Sequence, residues 1–181
     1  MTLSTLKNQV QKISRSLVMA LTLLIVAACG GGGGSGGGGG NPTAAALKIN
    51  LTGSLPASTA ISGAGFIITL PANVTAATTG GTVASSVVSL SGTFAGSTVP
   101  PQVLYTAATS TTLGTIKVIL ASSAAAGVTQ VGEVATVALL LANGAAPTAA
   151  SFGVSEATVV DVGTANSING MGVTVAAVTL Q

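Results

Sequence analysis

The sequence predicts an all-β protein, a single β-sandwich of about nine strands that follows a signal helix and a disordered glycine linker. Apolar and polar residues alternate along short runs, and prolines, glycines and asparagines separate those runs. Only 4% of the 181 residues are charged, and the chain has one cysteine and no histidine. Histidine-based catalysis, an internal disulfide and a cysteine-cluster zinc site are therefore excluded.

Residues 1–28 are organised like a bacterial signal peptide. Lys7, Lys12 and Arg15 precede an apolar run from Leu17 to Ala28. This run falls well short of the roughly 20 residues that a membrane-spanning helix needs. An uncleaved signal anchor and a buried core helix are the alternatives.

The end of this segment carries a more specific pattern. Val26-Ala27-Ala28-Cys29 resembles the lipobox of bacterial lipoproteins. The resemblance implies cleavage before Cys29, which then carries a diacylglycerol and a fatty acid, and no other cofactor is predicted. It implies an exported protein held to the membrane by this anchor. Because Gly30 follows the cysteine in place of an aspartate, the outer membrane is favoured, with the periplasmic and cell-surface leaflets both open.

Residues 29–42 form the predicted tether. Glycine fills positions 30–40 apart from Ser35, and Asn41-Pro42 closes the stretch. Such a chain buries nothing and behaves as a coil that spans roughly 20 Å on average. The run also fits glycine-rich phosphate-loop patterns, but no strand precedes it and no Gly-Lys-Ser/Thr ending occurs, so a nucleotide site is discarded.

Residues 43–181 are expected to form the sandwich. Alternation predicts strands over 47–52, 64–70, 86–91, 103–106, 115–120, 133–141, 155–162 and 173–180. The stretch 122–126 is rich in alanine but too short for a stable helix, so we expect a loop or a single turn there. Phe66 and Phe152 should face the core. Lys48 and Lys117 are the two basic side chains in this domain that could protect strand edges against pairing.

Several of these stretches resemble the cohesin-like domains. The matching stretches are 65–74, 114–120, 132–141, Asp161-Val-Gly163 and 172–181, where a Gly-Thr-apolar strand precedes a Gly-x-aliphatic-Ala-Thr strand and a final Gly-x-Val-Thr strand. The resemblance covers most of residues 45–181. It implies a jelly-roll sandwich of about nine strands and a dockerin-like or other envelope protein as partner. Cohesins often present acidic residues to their partner, so Glu133 and Asp161 are the acidic interaction candidates.

The residues do not suggest an active site, and we predict that the protein is not an enzyme. Serine and threonine are abundant, but no side chain of the predicted domain is a suitable base to activate them. A glycosidase-like carboxylate pair among Glu133, Glu156 and Asp161 stays open, because the sequence does not give their separation. Asp161 with Asn166 and Asn169 is a weak calcium candidate, and an Asn-rich turn is the alternative, so no metal site is predicted.

The predicted role is a non-catalytic binding or structural module that interacts with another protein. The alternative is carbohydrate binding at the cell surface. Polysaccharide sites usually present an aromatic platform, and Tyr105 is the ring that the pattern could leave exposed, although a place at the edge of the core is the other option. Nucleic acid is not expected as a partner, because the predicted domain has no basic patch to neutralise phosphates.

Overall fold

Two antiparallel sheets make up most of residues 40–181, the part of the chain that this computed structural model describes. In chain order the strands are β1 (Ala44–Thr52), β2 (Ile61–Thr69), β3 (Val74–Thr75), β4 (Thr78–Thr79), β5 (Thr82–Val83), β6 (Val88–Leu90), β7 (Gln102–Thr106), β8 (Thr115–Ala121), β9 (Gly132–Leu141), β10 (Gly153–Asp161) and β11 (Gly172–Leu180). The predicted signal peptide, the anchor residue Cys29 and the tether up to Gly39 lie outside the described residues.

The strands form an all-β sandwich, which confirms the predicted fold class. Sheet 1 has the order β11-β1-β9-β3, with β6 also paired to β9, and sheet 2 has the order β10-β2-β8-β7. The strands β4 and β5 pair only with each other. Among the described residues the helical pieces are two 3₁₀ turns, Gly92–Phe94 and Ala149–Ser151.

The core lies between the two sheets because every second side chain of a strand points to the same face. Leu47 and Ile49 of β1 share one buried cluster with Phe66 and Ile68 of β2, and Phe152 joins it from the segment before β10. The predicted inward placement of Phe66 and Phe152 is thus confirmed. Each such side chain contributes about 1.5–3 kcal/mol by leaving water.

The observed elements follow the predicted runs closely, with local differences. The run 86–91 contains only the short strand β6, and the two-residue strands β3, β4 and β5 were not predicted. The stretch 122–126 forms no helix, as expected. A two-residue strand is too short to show an alternating pattern, so its pairing depends on the neighbouring strand.

The predicted role of the lysines as edge protection is wrong. Lys48 lies on β1, which is paired on both sides, and Lys117 lies on β8, which is also an inner strand. The edge strand β10 instead carries a bulge between Ser155 and Thr158, where Glu156 adopts a left-handed φ of 51°. A bulge of this kind interrupts the row of pairing groups at the edge.

Candidate functional site

A groove runs along the outer face of sheet 2, and its floor is made by glycines. Strand β2 sends Ala64, Phe66 and Ile68 into the core, so Gly65 occupies an outward position near the middle of the sheet, and the buried residue Gly63 lies two positions before it. Neither glycine has a side chain that could fill the groove. The groove has a volume of about 660 Å³.

The two strands that flank β2 supply the walls of the groove. Their wall residues are Lys117, Ile119 and Ala121 on β8, and Glu156, Thr158 and Val160 on β10. Ile119 and Thr158 both pair with Gly65 in the register, from opposite sides. The walls therefore present apolar atoms and a hydroxyl group near the middle of the groove and charged groups near one end.

The two glycines of the floor differ in the space available for an added side chain. A Cβ atom added to Gly63 would lie 2.6 Å from the backbone oxygen of Leu120, which is closer than packed atoms approach. A Cβ atom added to Gly65 would have only the Val118 oxygen within reach, at 4.0 Å. The fold thus requires glycine at 63, whereas it leaves room for a methyl group at 65.

Large apolar side chains lie exposed beside the groove. Leu104 on β7 is 64% exposed and Ile119 is 44% exposed. Leu104 pairs with Lys117 in the register, so β7 extends the same face. Exposed apolar groups that are contiguous with a groove are typical of a surface that a partner covers.

Two opposite charges flank the floor of the groove. Lys117 pairs with Ile67 from the β8 side, and Ser155, next to Glu156, pairs with Ile67 from the β10 side. The two charged residues thus stand two strands apart, at about 10 Å by strand spacing. Both are exposed, and neither forms an ion pair within residues 40–181, where Lys48 with Glu133 is the one salt bridge.

The candidate residue Glu133 lies on the other sheet. Its side chain points away from the core at the start of β9. The Lys48 ammonium donates a hydrogen bond of 2.7 Å to its Oε1 atom. This bond, helped by the Ser91 hydroxyl, holds the pKa of the Glu133 carboxyl below its usual range, against the opposing effect of desolvation. The carboxylate of this acidic interaction candidate is thus paired with a lysine from β1.

The candidate residue Asp161 organises a turn at the end of β10. The Thr164 hydroxyl donates to its Oδ2 atom at 2.8 Å, the Thr164 amide donates to the same oxygen at 3.1 Å, and the Ala60 amide donates to Oδ1 at 3.3 Å. These bonds, the Thr164 hydroxyl first, lower the pKa of Asp161. Its carboxylate is thus engaged by its own chain, and residues 40–181 contain no group of three acid, cysteine or histidine side chains that could hold a metal ion.

The aromatic candidate Tyr105 takes the position at the edge of the core. It pairs with the buried residue Ile116, points to the same side of sheet 2, and packs against the core while partly buried. The three phenylalanines are Phe66, Phe94 and Phe152, and all are buried. The described residues therefore expose no ring as a flat platform for a sugar.

The candidate residues predicted from the sequence do not gather at one place. Glu133 is on the outer face of sheet 1, Asp161 is at the end of β10, and Tyr105 is directed inward from β7. The groove brings together a different set, with Lys117 and Glu156 near its floor. The sequence signal that marks it is the placement of Gly63 and Gly65 at alternate positions inside an otherwise apolar strand pattern.

No protein-family model, curated protein or solved structure matches this chain. The cohesin-like resemblance therefore stays a prediction, and the site is argued from its own geometry. Within the described part of the chain, no helix is both long and apolar enough to cross a membrane.

Proposed function

We propose that the protein is an envelope lipoprotein, anchored in the outer membrane through lipids on Cys29, whose cohesin-like sandwich binds another protein. The groove and the exposed apolar side chains of sheet 2 form the binding face. The lipobox and the glycine tether support the anchor, because two or three acyl chains hold a protein stably in a bilayer where one is marginal.

Gly65 is the observation that carries this proposal. A glycine inside a strand destabilises a protein by about 0.5–1 kcal/mol relative to alanine. The fold has room for a methyl group at this position, so local packing does not require glycine there. Glycine inside a strand often marks a place where a ligand or another backbone approaches closely. The residue keeps the groove open.

A protein fits this face better than a sugar or a charged small molecule. The face combines exposed aliphatic groups with one lysine and one glutamate, and no exposed ring lies on it among the described residues. Aliphatic groups of this kind gain free energy when a complementary apolar surface covers them. Sugar binding would instead call for a stacking platform, which Tyr105 does not offer from its half-buried position.

The proposal describes a non-catalytic module. Glu133 and Glu156 belong to different sheets, and the carboxylate of Asp161 accepts hydrogen bonds from its own turn. The arrangement therefore gives no pair of free carboxylates facing one bond, as a glycosidase requires.

The anchor is tested by metabolic labelling with a fatty-acid probe. The wild-type protein should take up the label and fractionate with the outer membrane, and Cys29→Ser should lose both properties. If the Cys29→Ser protein is still labelled and still sediments with membranes, the lipoprotein part of the proposal is wrong.

The binding face is tested by affinity capture of envelope proteins on the full-length lipidated protein. Ile119→Asp places a charge in the groove wall, and Leu140→Asp places the same charge on the outer face of sheet 1, where the side chain is 48% exposed. We expect Ile119→Asp to abolish capture and Leu140→Asp to preserve it. Equal capture by both variants would show that sheet 2 is not the binding face.

A further inference from the structure

We infer that the protein partner of this face is a second copy of the same chain, docked against sheet 2 about a two-fold axis parallel to β2. The inference rests on the proposed function, since it names the partner of the same face. It is carried by the placement of Lys117 and Glu156, by the apolar side chains of Ile67 and Ile119 and by the end of the sandwich at which Gly40 leads into β1.

The charges of the face are complementary to themselves. Lys117 stands on the β8 side of β2 and Glu156 on the β10 side, at nearly the same height along the strands. A two-fold rotation about an axis that runs above β2 exchanges these two sides and preserves the height. Lys117 then lies opposite Glu156 of the partner subunit, and the symmetry repeats the contact, as in any isologous interface.

The apolar groups of the face give this dimer its stabilising contact. Leu104 and Ile119 are well exposed in the single chain, and Ile67 lies half-buried between the two charged residues. In the dimer Ile67, which lies close to the axis, packs against Ile67 of the partner subunit, and Ile119 on β8 lies opposite Thr158 of the partner subunit, whereas Leu104 on β7 reaches beyond the partner's edge strand β10. The two glycine floors let the sheets approach closely, in the manner of two sheets packed face to face.

The tether gives an independent reason for this choice of axis. Gly40 leads into β1 at one end of the sandwich, where Thr43 and Gln181 are hydrogen-bonded. A rotation about an axis along the strands keeps strand direction, so both copies present Gly40 at the same end of the dimer. This arrangement suits two copies anchored in one membrane, whereas an axis across the strands would place the two Gly40 residues at opposite ends of the dimer. Anchoring also raises the effective concentration of each copy for the other.

The experiment is a charge exchange between two differently tagged full-length proteins, co-purified from detergent with an excess of empty micelles. In the single variants Lys117→Glu and Glu156→Lys, both symmetry-related contacts between positions 117 and 156 bring like charges together. We therefore expect the association of each single variant with itself to weaken roughly tenfold. Mixing the two single variants restores both contacts in a mixed dimer. Self-association of the double variant restores them as well. Recovery should be within about threefold of wild type. Thr174→Lys and Thr174→Glu, at an exposed position of β11 in sheet 1, are the matched controls and should associate like wild type.

The outcomes separate the inference from the proposed function. Restored pairing in the mixture, with loss in each single variant, supports the dimer. If the single variants associate like wild type, or if the mixture does not recover, the charge-paired dimer is wrong. If wild type does not self-associate yet captures another envelope protein in a manner that depends on Ile119, the inference fails and the proposed function stands. If neither kind of association depends on this face, both fail.

Discussion

Replacing each glycine of the groove floor with alanine should have opposite effects on stability. Gly63 and Gly65 lie two residues apart on the same strand, and Gly63 is buried whereas Gly65 is half-buried. The methyl group of Gly63→Ala would collide with the Leu120 carbonyl oxygen, 2.6 Å away, and either β2 or β8 must move to relieve the collision. The methyl group of Gly65→Ala enters open space. Comparing the two variants therefore separates the effect of a steric clash in the folded protein from the effect of glycine's backbone freedom in the unfolded chain.

The magnitudes follow from these distances. Forcing an extra methyl group into a packed position typically costs about 1–3 kcal/mol, so Gly63→Ala should lower the free energy of unfolding by that amount. Gly65→Ala removes the conformational entropy of glycine from the unfolded chain and should raise the free energy of unfolding by about 0.5 kcal/mol. The two variants should thus differ by roughly 1.5–3.5 kcal/mol.

Urea unfolding of the purified proteins, followed by far-ultraviolet circular dichroism, measures this difference. The shift must appear in the midpoint with an unchanged denaturant dependence, which shows that stability alone has altered. Equal stabilities of the two variants, or a Gly63→Ala protein more stable than wild type, would refute the close approach of Gly63 on β2 to the Leu120 carbonyl oxygen on β8. A stable Gly65→Ala protein is also the reference for any loss of binding caused by filling the groove.

Three further predictions test the remaining contacts. The hydrogen bonds of Asp161 lower its pKa below the ordinary value of 3.8. They therefore stabilise the fold above that pH, and this stabilisation is lost as the pH falls through the pKa of the folded state. In urea unfolding, the stability advantage of wild type over Asp161→Asn should shrink between about pH 5 and pH 2. Lys48→Met removes the main donor to Glu133, and an NMR titration should show the pKa of that carboxyl rising toward 4.5, while an unchanged pKa would contradict the ion pair. Gly92 and Gly80 both have positive φ, of 51° and 59°, but only at Gly92 does an added Cβ strike the Glu133 backbone, so Gly92→Ala should be less stable than Gly80→Ala by at least about 2 kcal/mol in thermal unfolding.

The strands were largely predictable from the sequence because their signal is local. Along residues 64–70, alternation already distinguishes the core-facing positions, which include Phe66, from the positions that point away from the core. The same two-residue period marks β1, β8 and β9. The inward series follows from the need to remove apolar groups from water. The strands β3 to β5 escaped prediction, since two residues carry no period.

The groove on sheet 2 was not predictable in the same way because it depends on which strands become neighbours. Lys48 and Glu133 are 85 positions apart, and only the pairing of β1 with β9 makes them partners. In the same manner, the order β10-β2-β8 places Glu156 and Lys117 on either side of the glycine floor. Sequence reasoning directed attention to Glu133 and Asp161, whose carboxylates turn out to be engaged by their own chain.

Photo-cross-linking in intact cells tests the central claim most directly, because it probes the proposed binding face of the full-length protein in the cell. A photoreactive amino acid at position 119 stands in the groove wall of sheet 2, and one at position 140 stands on the outer face of sheet 1. We predict that irradiation links position 119 to a protein partner, including a second copy of this chain, and that position 140 gives no such product. Protein cross-links from position 140 with none from position 119 would contradict the assignment of the binding face to sheet 2.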